Sequence, residues 1–319
     1  MTKYLDLVQE CDNFPHYDLS QPEIYTEALK SLWYFYLPDD PEPHGFLTDS
    51  VVERMPWTAH FRISSSPRKQ VHLLKPETEQ WQTSCGEAIQ ELIDLAREQG
   101  VFPRLGKKNT EQFPIVGARF DIGIERSAFS LFGIIGRGAH MTVYTRTHEG
   151  LKFWIARRSA TKSTYPSMLD QAVAGGVARG EGPLDCLVRE AGEEAGLSPE
   201  RVRNDVVATG TVSWFNVSDE RAGGEVGLMN PGVLYTYDLE VSSTEVEFQA
   251  VEGDISKFSL LGLSEVLTAL RQGEFKPSCA MVMLDFLIRH GLITAENEPD
   301  YGEIISRLHR KLPFRMNPA

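Results

Sequence analysis

Basic charge is what this chain of 319 residues is short of: 32 Lys and Arg stand against 45 Asp and Glu, a formal charge of −13. That balance excludes a protein that holds nucleic acid or anionic membrane through its overall field. An anionic small molecule would have to be met by a metal ion or by a local cluster of Arg and Lys. Cysteine is scarce too. The four present (Cys11, Cys85, Cys186, Cys279) lie far apart and form no C-x-x-C or Cys/His spacing. A disulfide framework and a zinc ribbon are therefore excluded, and reduced buried thiols are expected. No apolar run approaches the ~20 residues of a membrane-spanning helix. Internal repeats and low-complexity tracts are also missing. The opening residues, MTKYLDLVQECDNFP, have neither the charged-then-apolar layout of a secretory signal nor the acid-poor composition of a transit peptide. A cytoplasmic protein is the expectation.

What is present is an ordinary globular composition, 41% hydrophobic and 24% charged, in a length that fits about two domains. The first 125 or so residues are broken by LPDDPEPHG (37–45), SSSPRK (64–69) and HLLKPETEQ (72–80). Between these breaks lie helix-like stretches at 21–37 and 85–100, the second amphipathic through Ile89, Leu92, Ile93 and Leu95. From about residue 130 strands dominate. GAHMTVYTR (138–146) and LKFWIARRS (151–159) read as a hairpin across THEG, and 206–217 and 232–241 read as further strands. The last third reads as helices at 263–273, 279–291 and 299–312. Regular β-α-β alternation is missing, so α/β/α layering is expected rather than a doubly wound sheet. The expected division is a small α+β accessory domain (1–128), a main α/β domain (129–295) and a helical tail packed on it (296–319).

The segment GGVARGEGPLDCLVREAGEEAGL (175–197) carries the chemistry. Pro183 suits a first helical position and Gly196 a left-handed stop, which predicts a helix over 183–195. On it Leu184, Leu187, Val188, Ala191 and Ala195 share one face, and Glu190, Glu193 and Glu194 share another. Like charges at these spacings repel and weaken an isolated helix. A solvated acidic face is the ordinary explanation for such a trio. The alternative is a set of hard oxygen ligands for Mg²⁺ or Mn²⁺. The wider pattern decides between them. Gly175, Glu181, Arg189, Glu190, Ala191, Glu193, Glu194, Gly196 and Leu197 fit G-x5-E-x7-R-E-U-x-E-E-x-G-U, with U apolar. Seven fixed identities coincide by chance about once in 10⁷ chains.

This pattern resembles the signature box of the Nudix hydrolases, with Ala191 smaller than the usual apolar residue there. The resemblance implies a Nudix α/β/α sandwich with a mixed sheet, and Mg²⁺- or Mn²⁺-dependent hydrolysis of a P–O–P bond in a small-molecule diphosphate. Glu193 and Glu194 take the place of metal ligands, and Glu190 that of a base or further ligand. Arg189 orients a carboxylate, Glu181 supports the loop or the ion, and the Gly175 carbonyl is a further candidate ligand. A further acid from outside the box is common in the family. Asp254 is the first candidate and Glu225 the second.

Four flanking phrases are similar to Nudix proteins that occur alone or ahead of the kinase in fungal thiamine pyrophosphokinases. They are ERSAFSLFGIIGRGAHMTVY, FWIARRSATKSTYPSMLDQAVAGG, SWFNVSDE and GEFKPSCAMVMLDFLIRHG. That likeness implies thiamine diphosphate, or its damaged oxy and oxo forms, as substrate. Where the subgroup tends to read G-E-V-E, this chain has Gly253-Asp254-Ile255-Ser256. Arg157, Arg158 and Lys162 are candidates to hold the diphosphate, although strand alternation turns the two arginines to opposite faces. Tyr165, Trp214 and Phe215 are candidates to stack on a heterocycle. His140 and His290 lack a Ser or Cys partner at a telling spacing and are read as structural. GIIGRG (133–138) lacks the Lys-Ser/Thr and helix of a phosphate loop and reads as a turn into a strand. Two rival readings remain: a pyrophosphatase of nucleoside-diphosphate derivatives, and a sensor that binds a diphosphate without cleaving it.

Overall fold

A computed structural model describes residues 3–242, 248, 250 and 253–317; residues 1–2 and 318–319 of the expected end segments lie outside these. The chain begins with helices α1 (Tyr4–Cys11) and α2 (Pro22–Lys30), then strands β1 (Trp33–Tyr36) and β2 (Pro43–Leu47). Helix α3 (Asp49–Arg54), strands β3 (Phe61–Ser64) and β4 (Gln70–Leu73) and the long helix α4 (Trp81–Glu98) follow. The helix expected over 21–37 thus stops at Lys30. Its second half, WYFY, is a strand, because four consecutive aromatics suit a pleated surface better than a helix. These strands form a sheet in the order β2-β1-β4-β3, with β1 and β4 parallel. Phe35, Val71 and Leu73 of the sheet meet Ile89, Leu92 and Ile93 of α4 in one apolar core.

A short hairpin, β5 (Gln112–Pro114) with β6 (Gly123–Glu125), leads into the larger sheet. That sheet contains β7 (Gly136–Thr147), β8 (Gly150–Arg158), β9 (Leu169–Asp170), β10 (Val173–Gly176), β11 (Val207–Val217), β12 (Met229–Glu240) and β13 (Ile255–Gly262). The order is β11-β12-β7-β8-β13, with β12 parallel to β7 and the other pairs on this path antiparallel. β7 is buried from Gly138 to Thr145 without alternation, as a central strand covered on both faces must be. One edge of β7 is shared. Val143–Thr147 pair with β8, while Gly138–Met141 pair with β10, so the sheet splits at its middle.

Helices α5 (Pro183–Ala195) and α6 (Pro199–Asp205) cover one face, with Leu187, Val188 and Ala191 packed on Ala139, Met141 and Val143. α7 (Leu263–Arg271), α8 (Pro277–Arg289) and α9 (Tyr301–Leu308) belong to a second core with Phe153, Ile155 and Val212. This is the expected mixed α/β architecture. The N-terminal helix does not stay with the first sheet: Tyr4, Leu7, Val8 and Cys11 lie in the same core as α8. A further cluster joins Phe14, Phe46, Ile135, Phe215, Leu312 and Phe314, so both ends of the chain are packed where the two sheets meet. No helix among the described residues is long and apolar enough to cross a membrane.

Candidate metal and diphosphate site

The split in the sheet is where the box begins. Gly175 and Gly176 pair with Ala139 and Gly138, and the chain then loops through 177–182 into α5. Pro183 occupies the first helical position, and Gly196 closes the helix at φ +68°, a left-handed conformation that suits glycine. Cys186, Leu187, Val188, Ala191 and Ala195 are buried, which turns Glu190, Glu193 and Glu194 toward the loop and strand β10. Leu184 stays partly exposed.

Arg189 organises the acids. Its Nε and Nη2 donate to the two oxygens of Glu181 at 2.9 and 3.1 Å. Its Nη1 donates to Glu190 at 2.8 Å and to Glu193 at 3.1 Å. Hydrogen bonding to Glu181 is the main cause of a guanidinium pKa above its already high ordinary value. Glu181 also accepts the backbone N–H of Ala178 at 3.2 Å, which fixes the loop to its own acid. Glu194 stands apart and accepts the N–H of Ala174 at 3.0 Å. Burial, with the charges of Asp170 and Glu190, pushes its carboxyl up to about 8. Burial raises Glu190 as well, against the pull of Arg189.

Gly175 has no room for a side chain: a Cβ there would lie 2.2 Å from Cγ, Cδ and Oε1 of Glu190. The Gly175 backbone thus runs closely past the Glu190 carboxylate. The donor set is hard oxygen throughout, and its charge exceeds what one arginine neutralises. Such a set fits Mg²⁺ or Mn²⁺ and suits no softer metal.

The flanking candidates divide. Arg158 is buried and donates to Asp170 at 2.7 Å, to the Thr164 carbonyl at 2.8 Å and to the Tyr165 carbonyl at 3.0 Å. It braces the loop after β8 and presents no free edge to a diphosphate. Arg157, on the opposite face, is partly exposed and donates to the Ser167 carbonyl at 2.8 Å, with Glu274 at 3.5 Å. Lys162 forms an ion pair with Asp254, and its charge reaches Glu194. Tyr165 sits at φ +48° with the Arg221 guanidinium 6.0 Å from its ring centroid. Trp214 is pressed against Gly232, where a Cβ would lie 2.4 Å from its ring. Phe215 is a core ring at 1% exposure, stacked on Phe14 at 4.1 Å, and so has no face left for a heterocycle. Both carboxylate oxygens of Glu225 are buried with no hydrogen-bond partner among the described residues, and its charge acts on Arg104 of the N-terminal part.

One cluster has no counterpart in the sequence reading. Asp170, on β9, accepts from Cys279 Sγ at 2.7 Å and from the Gln171 N–H at 2.9 Å, in addition to Arg158. His140, Asp170 and Cys279 are the trio, among the described residues, whose candidate ligand atoms lie within 4.8 Å of one another. It is a poor cation site, because Arg158 and Lys276 already compensate the carboxylate. Against burial, which works the other way, those charges hold Asp170 well below the usual carboxylate range. Burial drives His140 down to about 3, so it sits neutral. A lone acid in the apolar run before the box, LDQAVAGG, was the signal for Asp170; spacing offered none for Lys276 or Cys279. The lone His290, read as structural, lies 3.1 Å from Asp238 and stacks on Phe286 at 3.9 Å.

Residues 136–280 match the profile of the NUDIX domain. The chain is 41% identical over 197 residues to an uncharacterized protein of Saccharomyces cerevisiae, covering 60% of this chain and 57% of that one. It is 32% identical over 225 residues to Nudix hydrolase 20, chloroplastic, of Arabidopsis thaliana, covering 70% and 58%. A second Arabidopsis protein, Nudix hydrolase 24, chloroplastic, is 34% identical over 223 residues, covering 69% and 58%. The chain therefore spans a little under three fifths of the length of these relatives.

Proposed function

We propose that this chain, which carries a Nudix domain at residues 136–280, is a metal-dependent hydrolase of a diphosphate bond. The observation that carries the reading is the acid set gathered on Arg189 beside a glycine with no room for a Cβ. The relatives named as Nudix hydrolases support it.

In this reading Glu190, Glu193, Glu194, Glu181 and the Gly175 carbonyl hold Mg²⁺ or Mn²⁺. The ion, when bound, neutralises phosphate charge and polarises the phosphorus under attack. The protein's own part is positioning. Arg189 keeps Glu181, Glu190 and Glu193 in one arrangement, so little reorganisation is left for the reaction. Glu190, whose carboxyl burial raises in pKa, would serve as the base that takes the proton of an attacking water or as a further ligand. Lys162, paired with Asp254 and with its charge reaching Glu194, would stand beside the diphosphate, and the partly exposed Arg157 is a second candidate contact. Arg158 supports the loop after β8 from inside, through the Thr164 and Tyr165 carbonyls.

The substrate we favour is thiamine diphosphate or one of its oxy and oxo forms, cleaved to the monophosphate and phosphate, on the strength of the four flanking phrases. The four free, buried cysteines are in keeping with a reducing compartment such as the cytosol. The test is phosphate release with Mg²⁺ or Mn²⁺ across thiamine diphosphate, its oxidised analogues, ADP-ribose and dinucleotides. Faster cleavage of the nucleotides overturns the thiamine assignment. Binding without phosphate release from any of them makes the protein a sensor.

A further inference from the structure

The N-terminal part reaches the box through the β5–β6 hairpin. Arg179, two residues before Glu181, donates its backbone N–H to the Gln112 carbonyl at 2.8 Å. The Arg179 guanidinium grips Asp121 with two bonds of 2.9 Å each. Phe113 lies over the next stretch: a Cβ at Gly176 would stand 2.7 Å from the tip of its ring. The first glycine of the box is thus shaped by Glu190 and the second by an aromatic from outside the Nudix domain.

Arg126 follows β6 directly. Its backbone N–H donates to the Glu111 carbonyl at 3.0 Å, and its guanidinium carbon lies 5.7 Å from the centroid of Phe113. The tip of the Phe113 ring thus meets Gly176, and the Arg126 guanidinium lies over the same ring. Among the described residues the guanidinium has one carboxylate partner, Glu111 at 2.7 Å, and the side chain is half exposed. One ring, Phe113, separates the guanidinium from Gly176, the neighbour of the glycine that packs on Glu190. An exposed pair of this kind adds little to stability. A guanidinium with unused donors beside an acid cradle is suited instead to phosphate oxygens, which it can bind in a fork.

We infer that Arg126 contacts the diphosphate of the substrate, so that the N-terminal part supplies one wall of the hydrolytic site. This rests on the reading of the box as a diphosphate site. Glu111 then competes with the substrate for the same guanidinium. That competition separates the inference from a bracing role for the pair. If the two residues only brace the hairpin, losing either has the same effect; if Arg126 binds the anion, the two losses have opposite effects.

The experiment uses the full chain with Mg²⁺ and imidodiphosphate, a non-hydrolysable P–N–P anion, titrated by calorimetry. Arg126→Ala is expected to weaken binding about tenfold, the scale of a lost charge-assisted hydrogen bond. Arg126→Lys should recover part of that loss, which a misfolded site would not. Glu111→Gln should tighten binding a few-fold. In turnover the Arg126→Ala loss should fall on KM rather than kcat. Unchanged binding in Arg126→Ala, equal weakening in Arg126→Ala and Glu111→Gln, or no binding by the wild type overturns the inference. The hydrolase reading fails separately. A wild type that binds imidodiphosphate through Arg126 yet cleaves no diphosphate refutes hydrolysis and leaves Arg126 standing. A wild type that cleaves, with Arg126→Ala unchanged, does the reverse.

Discussion

The Glu194 carboxylate, on helix α5, accepts the backbone N–H of Ala174 at 3.0 Å, one residue before Gly175. One bond therefore fastens the end of the box helix to the strand that starts the box. The same carboxyl is buried near Asp170 and is pushed up to about 8. Its charge is a cost to the fold, whereas its oxygen is a structural acceptor. Those two contributions can be separated.

Glu194→Gln keeps an oxygen for the Ala174 N–H and removes the charge. We expect its melting temperature without divalent ions to equal or exceed that of the wild type. Turnover with Mg²⁺ should fall by at least about a hundredfold, the scale on which a lost electrostatic contact to a reacting centre is felt. Thermal melts and phosphate release on the same preparation check both halves. Near-normal turnover would remove Glu194 from the ion site.

Two glycines of the same segment should respond oppositely to alanine. At Gly175 a Cβ would meet Glu190 at 2.2 Å, so the carboxylate must swing off Arg189. The cost expected is about 1–3 kcal/mol in stability, as for overpacking, with most of the activity lost. At Gly192, inside α5, the nearest atom to a Cβ is the Leu197 carbonyl at 3.8 Å. Gly192→Ala should therefore stabilise the helix by up to ~1 kcal/mol. Urea denaturation of both variants decides. Equal effects would mean that the glycine pattern does not reflect crowding at Glu190.

How much was readable in advance depended on how local the information was. The helix over 183–195 was legible because its start, stop and buried face are all written within one segment, by Pro183, Gly196 and the spacing of Leu187, Val188 and Ala191. The hairpin across THEG was legible for the same reason. The environment of Arg158 was not, because Asp170 enters from another strand and Cys279 from α8. Nor was the burial of Phe215. Its neighbours Phe14 and Phe46 come from the N-terminal part, far away in the chain. Trp214 and Phe215 look alike in sequence as candidate stacking rings, yet alternation along β11 sends them to different cores.

That difference is measurable at Phe215. The ring lies between Phe14 at 4.1 Å and Phe46 at 5.9 Å, with the Arg310 guanidinium 5.5 Å from its centroid. Phe215→Ala should cost about 3–5 kcal/mol, the range for emptying a buried aromatic site. The milder Phe215→Leu should fold and leave KM within a factor of two of the wild type. A KM raised tenfold in Phe215→Leu, with stability unchanged, would return this ring to the substrate.

His140 makes the acid stability of the fold predictable. The groups around it are Asp170, Cys279, Lys276 and Arg158, and burial among them drives its pKa down to about 3. In the unfolded chain an imidazole takes up its proton near 6.5. Between those two values the unfolded state holds a proton that the native state refuses, so acidification favours unfolding. From pH 7 to pH 5 that is about 1.5 pH units at ~1.36 kcal/mol each, or about 2 kcal/mol. Asp170 adds nothing in this window, because its contribution is lost only as the pH falls below the unfolded value near 3.9. His140→Gln retains a side-chain hydrogen-bonding group and loses the titration. The stability gap between wild type and variant, taken from urea unfolding, should therefore shift by about 2 kcal/mol in favour of the variant between pH 7 and pH 5. A gap that stays constant over that range would show that His140 takes up its proton alike in the folded and unfolded chains.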